Sequence, residues 1–279
     1  ALDISANTAL TTLMCHSNPE LYCIQVADVD QAEQDWGDDL SSWMVFNTDC
    51  ESYVPAMHVP DDNFEQALID LGYDDVLDDY VLIENISGVT ELSIQNQSIS
   101  DLTGVEAFIS LNELTCGSNQ ITEVDLSNNT ALTGLSIGGN QLTSLDVSNN
   151  TSLTLINCHL NQITDLNLSN ATALTSLSCR NNNLTELDLS SNVALTSLSV
   201  YGNQLTALDV SANTGLTYLN CTDNALTALD VSANTALTDL RCYNNQLTAL
   251  DVSNNTALTY LSCRYNQLTA LDVSANTAL

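Results

Sequence analysis

The chain has 279 residues, with 35 acidic side chains against three basic ones, a formal charge of −32, and an aromatic content of only 5%. An anionic excess of that size repels nucleic acid and anionic bilayers, which excludes both as direct partners. Few aromatics among many Leu, Val, Ala and Thr suit thin stacked layers better than a single globular core, and no apolar run approaches the ~20 residues of a membrane span.

Taken in chain order, Ala1-Leu2-Asp3-Ile4-Ser5-Ala6-Asn7-Thr8-Ala9-Leu10 nearly duplicates the closing Ala270-Leu271-Asp272-Val273-Ser274-Ala275-Asn276-Thr277-Ala278-Leu279. Both termini are therefore expected to cut through a repeating unit of a longer polypeptide. Residues 1–22, with Leu10, Leu13, Cys15 and Asn18, finish a preceding array. The period is then lost between Cys23 and Cys50, and the chain divides near Val54. The run Val59-Pro60-Asp61-Asp62-Asn63-Phe64-Glu65-Gln66-Ala67-Leu68-Ile69-Asp70-Leu71-Gly72 places Asp and Asn before an apolar helical period and Gly at its end, which predicts a helix. Degenerate coils follow at Leu92-Ser93-Ile94 and from Ile99 to Phe108.

From Leu111 onward leucine recurs at Leu132, Leu153, Leu174, Leu195, Leu216, Leu237, Leu258 and Leu279, a spacing of 21 without insertion. Each unit reads approximately LTxLxCxxNQLTxLDVSxNTA, the signature of a leucine-rich repeat. The array resembles the short 21-residue subclass of secreted bacterial repeat proteins, in which a second half such as Leu142-Thr143-Ser144-Leu145-Asp146-Val147 follows the first. That resemblance implies a solenoid of parallel β coils with two short strands per repeat. Leu135 and Ile137 are expected to point inward and Gly134 and Ser136 outward, with eight coils spanning ~40 Å. The row Asn119, Asn140, Asn161, Asn182, Asn203, Asn224, Asn245 and Asn266 should satisfy backbone groups at one bend. Ser127, Ser148 and their equivalents to Ser274, with the Asn-Thr pairs after most of them, should do so at the other.

The same resemblance makes 54–110 an N-terminal helical cap with degenerate repeats and 111–279 the array proper. It makes 1–53 the last repeat and an irregular, disulfide-closed C-terminal cap of a preceding array. Cys23 and Cys50 are the expected disulfide, stapling a segment without a large core of its own in an oxidising compartment.

Cys116, Cys158, Cys179, Cys221, Cys242 and Cys263 share one inward position with Ile137 and Val200, so they are expected to be free core thiols. Asp125, Asp146, Asp188, Asp209, Asp230, Asp251 and Asp272, with Asn167, form an outer acidic row expected to make backbone or solvent contacts. Asp74, Asp75, Asp78 and Asp79 in the cap are a weak calcium candidate; no cofactor is otherwise implied. His16, His58 and His159 lie in three separate regions without a nucleophile and acid beside them, so no catalytic constellation is expected. The Thr rows (Thr133, Thr154, Thr175, Thr196 and Thr122, Thr143, Thr164, Thr185) allow a water-ordering reading, but Thr is also an ordinary β-branched filler here.

The rare residue types are concentrated. Arg180, Arg241 and Arg264 flank the cysteine position, as do Tyr201, Tyr243 and Tyr265, while Tyr218 and Tyr260 lie on the same sheet. Tyr and Arg are the types enriched at binding hot spots, and Tyr also stacks on sugars. The expectation is a non-enzymatic extracellular adhesion or appendage module at the cell surface. It would be one cassette of a longer tandem protein, meeting itself, another surface protein or polysaccharide through this strip. The alternative is a discrete receptor domain for a glycan or peptide.

Overall fold

A computed structural model of the chain describes residues 1–7, 10–15, 21, 23–37, 44–50 and 54–279. The chain is a leucine-rich-repeat solenoid. Its first sheet is parallel and three-stranded, β1 (Leu2–Asp3), β2 (Cys23–Gln25) and β3 (Val45–Asn47). Helix α1 (Val29–Trp36) joins β2 to β3, capped by Asp28, whose carboxylate accepts from the Gln31 amide. Cys23 and Cys50 are bonded across this unit, with Cα atoms 5.7 Å apart. Closing a loop of 27 residues removes unfolded-state entropy worth roughly 3–4 kcal/mol. The segment is thus more regular than the sequence implies. Strands of three residues and a helix that buries only Ala32 leave too little periodicity to read. Asn18 and His16 lie outside the described residues.

The chain continues with the antiparallel pair β4 (Ala56–His58) and β5 (Tyr80–Leu82) around α2 (Asp62–Asp70), followed by α3 (Ile83–Ile86). The predicted helix forms for the expected reasons. Asp61 Oδ1 accepts from the Asn63 and Phe64 amides, and Gly72, at φ +80°, ends it with amide bonds from Gly72 to Ile69 and from Tyr73 to Leu68. Asp61 Oδ2 meanwhile accepts from the Ser100 amide, the Ser100 hydroxyl and the Asp101 amide. One carboxylate thereby ties the helix start to the first coils. Burial opposes its ionisation, but bonds from Ser100, Phe64 and Asp101 hold its pKa below the usual carboxylate value.

The array builds one nine-stranded parallel sheet. Its members are β6 (Glu91–Ser93), β7 (Glu113–Thr115), β8 (Gly134–Ser136), β10 (Leu155–Asn157), β12 (Ser176–Ser178), β13 (Ser197–Ser199), β14 (Tyr218–Asn220), β15 (Asp239–Arg241) and β16 (Tyr260–Ser262). Except in β16, where Leu261 is half-buried, the central residue of each of these strands, such as Leu135, Leu177 or Leu240, is buried at 1% exposure or less, as the period-2 alternation requires. Three rows of inter-coil bonds converge on this side. Besides the strand ladder, the Thr hydroxyls of this row each donate to a backbone carbonyl one coil earlier, as Thr133 does to Asn112 and Thr154 to Thr133 at 3.0 Å. The third row is asparagine. Asn140 Nδ2 donates to Ile137 O in its own coil and Cys116 O in the preceding one, while its Oδ1 accepts from the Ile121 amide.

Second strands, expected in every coil, pair as a ladder among the described residues only at β9 (Ser144–Asp146) and β11 (Asp165–Asn167). The physical difference lies in the bonding. That side is held by a second, fully buried asparagine row, exemplified by Asn150 Nδ2 donating to Leu126 O and Asn129 O, so a close spacing is not imposed at the strand itself. This row, Asn129, Asn150, Asn192, Asn213, Asn234, Asn255 and Asn276, is interrupted by Ala171. A column of left-handed residues completes each coil: Ser118, Gly139, Leu160, Asn181, Gly202, Asp223, Asn244 and Tyr265 all have φ between +51° and +70°. Among the described residues no helix is long and apolar enough to cross a membrane.

Candidate functional site

Outward side chains on β12 to β16 form a grid whose rows are coils. The first residue of each strand gives one column, Ser176, Ser197, Tyr218, Asp239 and Tyr260. The third residue gives Ser178, Ser199, Asn220, Arg241 and Ser262. Two residues further, beyond the buried cysteine position, stand Arg180, Tyr201, Thr222, Tyr243 and Arg264. Parallel strands place successive members of a column ~4.8 Å apart.

The structure draws six of the eight predicted residues into two three-membered stacks. Arg241 sits over the rings of Tyr218 and Tyr260, one coil to either side, at 5.5 and 4.9 Å from the centroids. Arg264 sits over Tyr243 at 4.8 Å and Tyr265 at 5.7 Å. Each such contact contributes about 0.5–1 kcal/mol at an exposed site. Tyr265 is not a strand residue but occupies the left-handed turn position at φ +54°, and it is 74% exposed. Arg180 and Tyr201 join neither stack. Arg180 faces His159 instead, whose pKa is lowered by burial and then by that positive charge.

Sequence reasoning missed Asp239. Its carboxylate binds Arg241 through Nε at 3.0 Å and Nη2 at 2.8 Å, and this pairing pushes the guanidinium pKa further up. Arg241 therefore does not present an unpaired positive charge. The signal was available: Asp239 and Arg241 are i, i+2 on one strand, hence on the same face. Thr222, between Tyr201 and Tyr243 in its column, is fully buried and its hydroxyl has no hydrogen-bond partner.

The remaining rows are structural. Each Asp of the outer row accepts from the amide of the Ser two residues on, as in Asp146 to Ser148 at 2.8 Å, and Asn167 does the same for Ser169. Bonds from that serine hold the carboxyls of Asp146, Asp188, Asp209, Asp230, Asp251 and Asp272 below their usual pKa. The Thr hydroxyls of the first row are spent on carbonyls of neighbouring coils.

The array cysteines are free thiols, all buried except the half-buried Cys263. Burial pushes Cys116 and Cys158 up to about 12. Beside α2, Asp78 Oδ1 accepts from the Tyr80 amide, while the fully buried Glu65 accepts from the Asp78 and Tyr80 amides. Asp74 is raised by burial, with the charges of Asp78 and Asp75 adding. Among the described residues no group of three or more His, Cys, Asp or Glu is arranged to hold a metal ion, so Asp74, Asp75, Asp78 and Asp79 do not close into a cage. The His58 ring meets Tyr80 at a tilt of 48° with centroids 5.3 Å apart, and His159 shares a 2.6 Å hydrogen bond with Asn157.

Comparison with known proteins places this geometry among bacterial repeat proteins. The LVIVD repeat family matches residues 135–159. Internalin J of Listeria monocytogenes serotype 4b (strain F2365) is 43% identical over 71 residues, which is 25% of this chain and 8% of that protein. The functional domain of InlJ from Listeria monocytogenes, described as including a cysteine ladder, is 32% identical; the match covers 81% of this chain and 65% of that one, with a TM-score of 0.46. An internalin (inlF) from Listeria monocytogenes str. 4b F2365 is 27% identical over 79% of this chain and 74% of its own, with a TM-score of 0.64. This chain thus spans only a small part of internalin J, while its solenoid superposes on that of the inlF internalin.

Proposed function

We propose that the chain is a non-enzymatic, extracellular adhesion or appendage module that meets a partner through the tyrosine and arginine strip of its long sheet. In this reading 1–53 ends one array, 54–110 caps the next and 111–279 carries the working surface, all within a longer tandem protein of the cell surface. Self-association, another surface protein or polysaccharide is the partner class. Likeness to bacterial leucine-rich-repeat proteins supports a binding role over a catalytic one. The observation that carries the reading is the pair of stacks, Tyr218-Arg241-Tyr260 and Tyr243-Arg264-Tyr265. Repeat proteins encode binding in outward departures from a fixed scaffold, and these departures are chemically coherent.

The test replaces Tyr218, Arg241, Tyr243, Tyr260 and Arg264 by the Ser, Thr or Asn found in other coils. None is an inward side chain, so the fold should persist while attachment to the native surface falls at least about tenfold, a loss of about 1.4 kcal/mol. Unchanged attachment by a folded variant would refute the strip.

A further inference from the structure

Outward departures from the repeat also occur on the second-strand side, and in other coils. The residue ahead of the apolar position there is Ala207, Ala228, Ala249 and Ala270 in the last coils, but Glu123, Asp165 and Glu186 earlier. The apolar residue that follows changes with it. Leu208, Leu229 and Leu250 are buried at 7% exposure, whereas Val124, Leu166 and Leu187 are only half-buried. Neighbouring coils part at these points. A slot of about 610 Å³ opens between Asp165-Leu166 and Glu186-Leu187-Asp188. An equivalent slot of about 360 Å³ lies between the Asp101 and Glu106 coil and Glu123-Val124-Asp125. Between the two, β9 and β11 close their ladder and Leu145 is 3% exposed.

We propose that these two slots dock the lysine or arginine side chains of a basic partner polypeptide. Each has an apolar floor under a rim of carboxylates, the complement of a long aliphatic stem that ends in a cation. A bare calcium ion fits poorly, because it needs roughly 6–8 oxygens converging on one point and the described residues offer no such group. A second copy of this chain fits poorly too. It has three basic residues, of which Arg241 is bound to Asp239 and Arg264 is stacked on Tyr243 and Tyr265. The slots are three coils apart, about 14 Å at the coil spacing, which an extended peptide covers in about four residues.

The inference is independent of the tyrosine strip and is tested without it. Two peptides with the same number of lysines, one spacing them four residues apart and the other two, are titrated calorimetrically into the intact chain. The four-residue spacing should bind more tightly, and both should weaken with salt. Glu123→Ala with Asp165→Ala and Glu186→Ala, which installs the residue of the last coils, should weaken the better peptide about tenfold. Asp209→Asn with Asp230→Asn and Asp251→Asn removes as many charges from the same edge and keeps the serine bond, as Asn167 does, so it should change little. Equal affinity for the two peptides, equal loss in the two variants, or displacement of the peptide by an equimolar amount of calcium would overturn the proposal.

Discussion

Asp239 holds Arg241 by two hydrogen bonds within one three-residue strand, while the guanidinium lies between the rings of Tyr218 and Tyr260. The stack is therefore close to neutral. Asp239→Ala should free the charge without freeing the side chain. The pair is 40% and 23% exposed, so the stability change measured by urea unfolding should be about 1 kcal/mol or less. Binding of an anionic partner should strengthen relative to a neutral one; a large loss of stability with no change in selectivity would show that the pair is only a structural tie.

Asp61 gives a pH-dependent expectation. Asp61→Asn turns an acceptor of the Ser100 and Asp101 amides into a donor facing them, at a cost of about 2 kcal/mol or more. The folded pKa of Asp61 is depressed, so its contribution is fully present above the unfolded value of ~3.9 and is lost as pH falls through the lower folded one. The gap in unfolding free energy between wild type and variant should therefore narrow only below about pH 4. A constant gap down to pH 2 would contradict this assignment.

The interrupted asparagine row predicts a stabilising substitution. At Ala171 the carbonyls of Val147 and Asn150 lack the amide donor that every equivalent coil supplies. Ala171→Asn should restore both bonds and raise stability by about 1 kcal/mol in urea. The Oδ1 atoms of this row have no partner, so destabilisation instead would mean that burying one more such oxygen outweighs two bonds.

The thiol column should be chemically quiet. With Cys116 and Cys158 pushed up to about 12 and buried, alkylation of the native chain at pH 8 should reach Cys263 first and leave the other five array cysteines unlabelled. Denaturation should expose all six. Early labelling of Cys179 or Cys221 would argue for opening of the middle coils.

The repeat was legible because one residue type answers one physical demand at each position. Leu111 to Leu258, the Asn119 row and the Asp61-capped helix all read directly as core, bend and helix start. What escaped reading depends on neighbours distant in sequence. The Arg241 contacts lie 19 and 23 residues away in coils to either side, and the second-strand ladder forms only where two particular coils approach closely. The β2-α1-β3 unit escaped for a different reason: with strands of three residues, too few positions repeat to establish a period.

Each amide of the Asn119 row reaches back by one coil and no further. A coil therefore bonds only to the coils directly before and after it. Deleting or duplicating a whole 21-residue unit leaves every other bond in place, whereas inserting a single residue moves all later asparagines off their carbonyls. The reach of the solenoid is in this sense adjustable in whole steps, each extending the outward grid by one further row on which new side chains can vary without touching the interior.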